Sequence, residues 1–377
     1  MQTWPTPGFG KVLFPVAQPD ISDFDIQAVE RDLSSGNVSG GSPTIQKAEE
    51  ALATILIADC LVVSNGSVAL ILALKALGIE AGDEVIVPNL TYAATASSVI
   101  HVGAKPVFCD SDSDDWNISL ESAKECLSRK TKAIILVDLY GVTRDWSPVV
   151  AWARASGLSV IHDCAESLTS SWDGEPTGIQ ADIRTYSFFA NKLITCGEGG
   201  AVATQNPSLL NKMRVLRGQG MSEAVRYWFD IPGFNFRMSS MQAALLTAQT
   251  TRIREISARR DELFSRYDRI FGPYASRPIS GPHGYNSPWM YTVTLQGVEP
   301  RSLAAVLASR GVETRPVFYP LDSMPAFSSY RSDRPSPNAQ RIHEWGLSLP
   351  TWNTWSEPDL TLLESVIKDG LYATAER

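Results

Sequence analysis

Between about Leu61 and Gly200, short β-branched runs alternate with longer helical stretches. Leu61-Val62-Val63, Glu84-Val85-Ile86-Val87, Pro106-Val107-Phe108, Ala133-Ile134-Ile135-Leu136-Val137 and Leu158-Ser159-Val160-Ile161 read as buried strands. Residues 67–77, 93–101, 120–127 and 148–155 have the length and composition of helices. Strands that are apolar on both faces, each followed by a helix, predict an α/β domain. Its sheet is mostly parallel, with helices on both sides.

Beyond this region the pattern changes. Residues 239–271 contain neither Gly nor Pro, and Ile253, Ile256, Leu263, Tyr267 and Ile270 fall at helical spacing. One long helix is predicted there. It leads into a smaller α+β domain with a strand near 289–295 and helices near 301–310 and 359–371. The boundary is placed near residue 250, giving a large domain over 1–250, N-terminal segment included, and a small one over 251–377. A chain of 377 residues is long enough for two domains.

Composition bounds the function classes. Hydrophobic residues make up 44% and charged residues 20%, a globular profile, and the formal net charge of -8 argues against nucleic acid or anionic membrane as the main partner. Residues 1–20 lack a basic stretch followed by an apolar one, so no signal peptide is expected. The most apolar run, 68–74, is far shorter than the about 20 residues a bilayer requires. Cys60, Cys109, Cys126, Cys164 and Cys196 are odd in number and form no CxxC pair. Reduced thiols in a cytoplasm are therefore expected rather than disulfides or zinc. Four dispersed histidines suggest no metal site.

Four pieces of the sequence carry chemistry. Ser64-Asn65-Gly66-Ser67 closes a strand and opens a helix, where backbone N–H groups and the helix dipole favour an anion such as a phosphate. An ordinary N-cap by Ser67 is the alternative. Asp163 ends the run Ser159-Val160-Ile161-His162, where ligands bind in open α/β sheets. Thr185-Tyr186-Ser187-Phe188-Phe189-Ala190-Asn191-Lys192 precedes Gly197-Glu198-Gly199-Gly200. A lysine held between aromatic rings and close-packed backbone is desolvated, which lowers its pKa and makes it a nucleophile or Schiff-base partner. Pro88-Asn89-Leu90-Thr91-Tyr92 follows another strand, and Tyr92 is either a stacking aromatic or a core residue. A dinucleotide-binding dehydrogenase is excluded, because no GxGxxG follows the first strand.

The order of these parts resembles the DegT/DnrJ/EryC1/StrS sugar aminotransferases, which share the aspartate-aminotransferase-like fold, fold type I of the pyridoxal-phosphate (PLP) enzymes. The resemblance runs from about Phe14 to Val366 and includes Asp163-Cys164-Ala165-Glu166 and Gly233-Phe234-Asn235-Phe236-Arg237-Met238. It implies that Lys192 is the Schiff-base lysine and that Asp163 partners the pyridine nitrogen. It implies further that Gly66, Ser67 and Ser187 contact the phosphate and that Tyr92 stacks on the ring. Asn235 resembles an asparagine that reaches the phosphate of the neighbouring subunit, which implies a homodimer with shared sites. Arg237 is placed to meet an acidic group, either a donor carboxylate or a structural ion-pair partner.

Three positions depart from the commonest pattern. Glu166, near the ring oxygen, stands where Gln or His is frequent, although perosamine-synthase-like members also have Glu. Asp138 and Asp322 replace histidines. Arg315, Tyr319 and Asp322 lie in segments that the resemblance brings close to the substrate. The implied reaction moves an amino group from L-glutamate, through pyridoxamine phosphate, to a nucleotide-linked keto-deoxysugar, with a 4-keto-6-deoxyhexose favoured. Alternatives are a sugar dehydratase or lyase on the same cofactor, and a non-catalytic regulatory protein on the same scaffold. Relatives of the dehydratase type have His in place of the lysine, and Lys192, Asp163 and Ser187 together disfavour the non-catalytic reading.

Overall fold

The structure, a computed structural model, describes residues 3–8, 12–222 and 224–375. Helices α1 (Asp23–Ser34) and α2 (Pro43–Leu56) precede the first strand. The expected alternation follows: β1 (Asp59–Val63), α3 (Gly66–Ala76), β2 (Glu84–Pro88), α4 (Ala94–His101) and β3 (Lys105–Cys109). It continues through α5 (Leu120–Glu125), β4 (Thr131–Val137), α6 (Ser147–Ala155) and β5 (Ser159–Asp163). A short hairpin of β6 (Ser171–Trp172) and β7 (Glu175–Pro176) leads to β8 (Ile183–Ser187), β9 (Gly200–Thr204) and α7 (Pro207–Arg217).

Seven of these strands form one sheet in the order β1-β9-β8-β5-β4-β2-β3. β2, β3, β4, β5 and β8 pair in parallel, and β9 runs antiparallel to both neighbours. Alternate residues feed different cores, as the two-residue period of a strand demands. Val85, Val87, Ile135 and Ile161 face one layer, and Ile86, Ile134, Leu136 and Val160 face the other. Each such aliphatic side chain contributes about 1.5–3 kcal/mol on burial. Both faces are thus closed, and the sheet's free chemistry is confined to its ends.

The long helix expected over 239–271 is two helices, α8 (Ser240–Thr251) and α9 (Ile253–Phe271). Arg252 leaves helical geometry, with φ -103° and ψ 1°. Its guanidinium reaches Asp20 at 3.0 Å and Asp25 at 3.1 Å, and Gln249 donates to the Asp20 carbonyl and the Asp25 carboxylate. Long-range polar contacts therefore break a segment that contains no helix breaker.

The remaining elements are β10 (Ala275–Ser276), β11 (Gly284–Tyr285), β12 (Thr292–Leu295), α10 (Pro300–Ser309), β13 (Arg315–Pro316), α11 (Pro337–Trp345), β14 (Gly346–Ser348) and α12 (Glu357–Ala375). A second, antiparallel sheet runs β10-β12-β14-β13. The apolar stripe of α9 (Leu263, Phe264, Tyr267, Ile270) packs into a core with Val293, Leu303 and Ile367. We propose the domain boundary at the break between α8 and α9, close to residue 250. Phe14 also belongs to this second core and bridges to Val312, so the N-terminal segment crosses to the C-terminal part of the chain. Strand β11 crosses in the opposite direction and pairs with β6. Among the described residues, no helix is long and apolar enough to cross a membrane.

Candidate active site

The carboxyl ends of β1, β2, β4, β5 and β8 deliver Ser64, Asn89, Asp138, Cys164 and Phe188, each opening a segment named above. At the end of β1 the helix cap is Asn65, whose Oδ1 accepts from the Val68 N–H at 3.0 Å. Ser67 is therefore not the cap; it lies inside the first turn of α3 and is exposed. Neither the Gly66 nor the Ser67 N–H has a partner among the described residues. A Cβ on Gly66 would lie 2.9 Å from the Ser187 Cβ and 3.2 Å from its Oγ, and a Cβ on Gly200 would lie 2.5 Å from the Asn65 carbonyl oxygen. The glycines thus let the helix start, the end of β8 and the start of β9 close on one another. They leave two N–H groups and the Ser67 and Ser187 hydroxyls around one small concavity, which suits an anion.

Lys192 follows β8 and is held in a turn by its N–H bond to the Phe189 carbonyl, 2.9 Å. Its Nζ lies 3.9 Å from the centre of the Trp289 ring. Burial pulls the amine's pKa down, against the opposing pull of Glu166 and Asp163, so these three groups share one electrostatic neighbourhood. Asp163 accepts from Thr95 Oγ1 at 3.2 Å and from the Ala165 N–H at 3.2 Å. Burial raises its pKa, while the Ala165 N–H and Lys192 act in the opposite sense.

Glu166 accepts from the Tyr140 N–H at 2.6 Å. Burial pushes its carboxyl up to about 7, with Lys192 opposing. In the unfolded chain the same group titrates near 4.5. The folded state therefore holds this proton more tightly, and the resulting stability is complete below pH 4.5 and lost as the pH rises through about 7. In cofactor-free protein, Glu166→Gln is expected to reduce the fall in stability between pH 5 and 7.5, by up to about 3 kcal/mol. Thermal melts of both proteins across that range check it.

The aromatic residues form a continuous stack. The Tyr140 ring lies between Trp289, 5.8 Å away at 15°, and Phe318, 5.2 Å away at 16°. Phe318 in turn lies 5.9 Å from Tyr92, which is 61% exposed and so offers a free ring face. Sequence reading missed Thr95, Tyr140, Trp289 and Phe318. Thr95 stands one helical turn after Tyr92, but nothing local marks Trp289 or Phe318.

The other expected residues are placed less uniformly. Ser64 donates to the Phe236 carbonyl at 2.9 Å and Val63 bridges to Arg237, so Asn235 and Arg237 flank the end of β1. Asn235 is exposed. The backbone N–H of Asp322 donates to Asn89 Oδ1 at 3.0 Å, which ties its segment to the end of β2. Tyr319 lies 4.1 Å from the His343 ring. Arg315 is exposed and sits 3.8 Å from Glu313. Asp138 is fully buried. It accepts from Trp146 Nε1 (2.9 Å), Ser167 Oγ (2.8 Å) and Thr177 Oγ1 (2.9 Å), and lies 3.0 Å from His162 Nε2. With His162 and Cys164 it gathers metal-ligand atom types within 4.8 Å of one another, but its oxygens are already committed to these donors. It anchors the strand ends behind the site.

Residues 19–367 match the DegT/DnrJ/EryC1/StrS aminotransferase family. The chain belongs to this family. The aminotransferase is 37% identical over 355 residues to GDP-perosamine synthase of Escherichia coli O157:H7, covering 93% of this chain and 97% of that one. It is 41% identical over 304 residues to GDP-perosamine synthase of Caulobacter vibrioides, covering 79% and 81%. Among solved structures, the aminotransferase TlmJ from Streptoalloteichus hindustanus superposes with a TM-score of 0.90 at 27% identity, over 96% of this chain and 99% of that one. Spr1654 from Streptococcus pneumoniae, in its PLP form, gives 0.88 at 25%, over 95% and 98%. The fold-type expectation for the sheet and its flanking helices is met.

Proposed function

We propose that this PLP-dependent aminotransferase moves an amino group from L-glutamate to a nucleotide-linked 4-keto-6-deoxyhexose, with Lys192 as the covalent anchor and proton carrier. One observation carries the reading. A desolvated lysine, coupled to Asp163 and Glu166, stands at the strand ends beside a cradle that a Cβ on Gly66 would fill. That arrangement fits PLP, whose aldehyde needs an amine, whose pyridine nitrogen needs an anion and whose phosphate needs N–H and hydroxyl donors.

Bound PLP supplies an electron sink for the carbanion left when an amino acid loses its α-proton. The protein's residues do the rest. Lys192 would hold the cofactor through Nζ and, when free, is the group placed to take up and return a proton at that atom. A lowered pKa leaves more of the amine unprotonated and able to accept that proton. Asp163, oriented by Thr95 and the Ala165 N–H, would pair with the ring nitrogen and keep it protonated. Gly66, Ser67 and Ser187 would hold the phosphate, Tyr92 would stack on the ring, and Glu166 would lie near the ring oxygen. Arg237, Arg315, Tyr319 and Asp322 are the candidates for substrate contact.

The names of the relatives support the acceptor class. Two are GDP-perosamine synthases covering most of the chain, and a third, 33% identical, is a UDP-N-acetyl-3-dehydro-glucosamine 3-aminotransferase. A GDP-linked 4-keto sugar is favoured on that ground. A homodimer in which Asn235 of the partner subunit reaches the phosphate is part of the proposal. It is supported by the exposure of Asn235 and of the neighbouring Tyr227, Trp228 and Phe229. Five free cysteines support a reducing, cytoplasmic setting.

The test is a pair of half-reactions. L-glutamate alone is expected to bleach the visible band of the PLP-loaded protein and release one 2-oxoglutarate per site. A GDP-linked 4-keto-6-deoxyhexose then restores the band. Restoration only by a 3-keto or a UDP-linked sugar would move the assignment within the family, and no bleaching by any amino acid would refute transamination.

A further inference from the structure

Arg260, on α9, is 2% exposed and has no carboxylate within salt-bridge distance among the described residues. Its Nη1 donates to the Trp289 carbonyl at 3.1 Å and its Nη2 to the Lys192 carbonyl at 3.4 Å. No other donor reaches either carbonyl among the described residues. Burial lowers its pKa to about 10, which still leaves the guanidinium charged near neutrality. Burying a cation against neutral carbonyls is costly. One apolar residue would fill the volume without that cost but would leave both carbonyls unpaired, so the retention of the guanidinium is tied to those two carbonyls.

The task follows from what the two carbonyls belong to. Trp289 places its ring 3.9 Å from Lys192 Nζ, and its indole N–H donates to the Asn191 carbonyl at 3.0 Å. The backbone of the lysine turn, which is neither helix nor strand, is thus held from the C-terminal part of the chain at residues 191 and 192. The backbone of Trp289, whose ring lies beneath the amine, is bonded by the same guanidinium. The guanidinium presents its donors in a rigid fork that reaches both carbonyls from one side chain; a lysine's shorter, flexible stem and compact ammonium do not reproduce that geometry.

We propose that Arg260 is a positioning residue for Lys192, fixing the amine over the Trp289 ring by bridging the Lys192 and Trp289 carbonyls from α9. The inference rests on Lys192 being the reactive amine. It makes the setting of that amine depend on where α9 sits, and so links the second core to the chemistry at the first sheet's edge.

Arg260→Lys keeps the buried charge but loses the fork, and Trp289→Phe keeps a ring but loses the indole N–H. Three readouts separate positioning from mere structural support: thermal melting, kcat against KM for glutamate, and the rate at which an amine reagent modifies Lys192 in cofactor-free protein. A folded Arg260→Lys is expected to lose about 10²-fold in kcat, the cost of an ångström-scale misplacement, with KM little changed. Its Lys192 is expected to be modified faster, because a loosened turn exposes the amine. Trp289→Phe is expected to shift both readouts in the same directions, by less. A folded Arg260→Lys with wild-type kcat and wild-type Lys192 reactivity overturns the inference. Should that variant not fold, wild-type kcat and wild-type Lys192 reactivity in a folded Arg260→Met, which removes the bridge without burying a charge, overturn it instead. Absence of any PLP adduct on Lys192 in the wild type would sink the reading beneath it; an adduct with unchanged variants would sink only the role of Arg260.

Discussion

Lys192→Ala is expected to lose about 10⁴-fold or more in kcat, because one change removes both the covalent anchor and the proton carrier. The loss should be chemical rather than structural. The amine is a destabilised cation, since burial lowers its pKa. Its removal leaves Asp163 and Glu166 without their positive neighbour, and both carboxyls, already raised by burial, are expected to take up protons rather than remain as buried charges. The variant is therefore expected to melt close to the wild type while failing to shift the absorption of added PLP. Steady-state rates with glutamate and a keto-sugar nucleotide, beside a melting curve, check both halves. Retention of even a tenth of wild-type turnover in a pure preparation would be incompatible with the assigned role.

The second large effect is expected at Asp163. Asn has nearly the same shape; its one amide oxygen can keep the Ala165 N–H bond while its NH2 faces Thr95 Oγ1, a hydroxyl that can also accept, but it carries no charge to hold a proton on the ring nitrogen. Loss of one partner of a buried, hydrogen-bonded ion pair costs about 3–5 kcal/mol, which corresponds to at least about 10²–10³-fold in rate if that charge is needed in the transition state. Asp163→Asn is expected to keep PLP attached yet react slowly with glutamate, separating attachment from turnover. Single-turnover kinetics of the glutamate half-reaction measure this directly. An Asn variant within threefold of the wild type would mean that the carboxylate serves packing only.

Much of this arrangement is legible in the sequence, for a physical reason. Parallel strands buried on both faces must be written in Val, Ile and Leu, so β2, β4 and β5 announce themselves, and ligands gather where such strands end. Asp163 and the Ser64-Asn65-Gly66-Ser67 block are singled out by position, and Lys192 by its aromatic and glycine-rich surroundings. The local register was harder. Asn65 and Ser67 are both competent caps, and only the close packing of Gly66 on Ser187 and Gly200 on Asn65 decides which one serves.

What stayed hidden depends on residues far apart in the chain. The break at Arg252 is made by Asp20 and Asp25, more than 200 positions earlier. Trp289 and Arg260 carry no motif, and their relation to Lys192 exists only once the two cores are joined. Asp138 shows the converse. A carboxylate at a strand end invites a functional reading, yet its oxygens already accept from Trp146, Ser167 and Thr177. A letter and its place in a strand do not reveal whether its hydrogen bonds are already made.

Borohydride reduction of the PLP-loaded protein, followed by peptide mass mapping, tests the central claim most directly. The reagent fixes the cofactor wherever it is attached. The expected result is one phosphopyridoxyl group per chain, on the peptide that contains Lys192. A label on any other lysine, or no label on a folded protein saturated with PLP, would contradict the account.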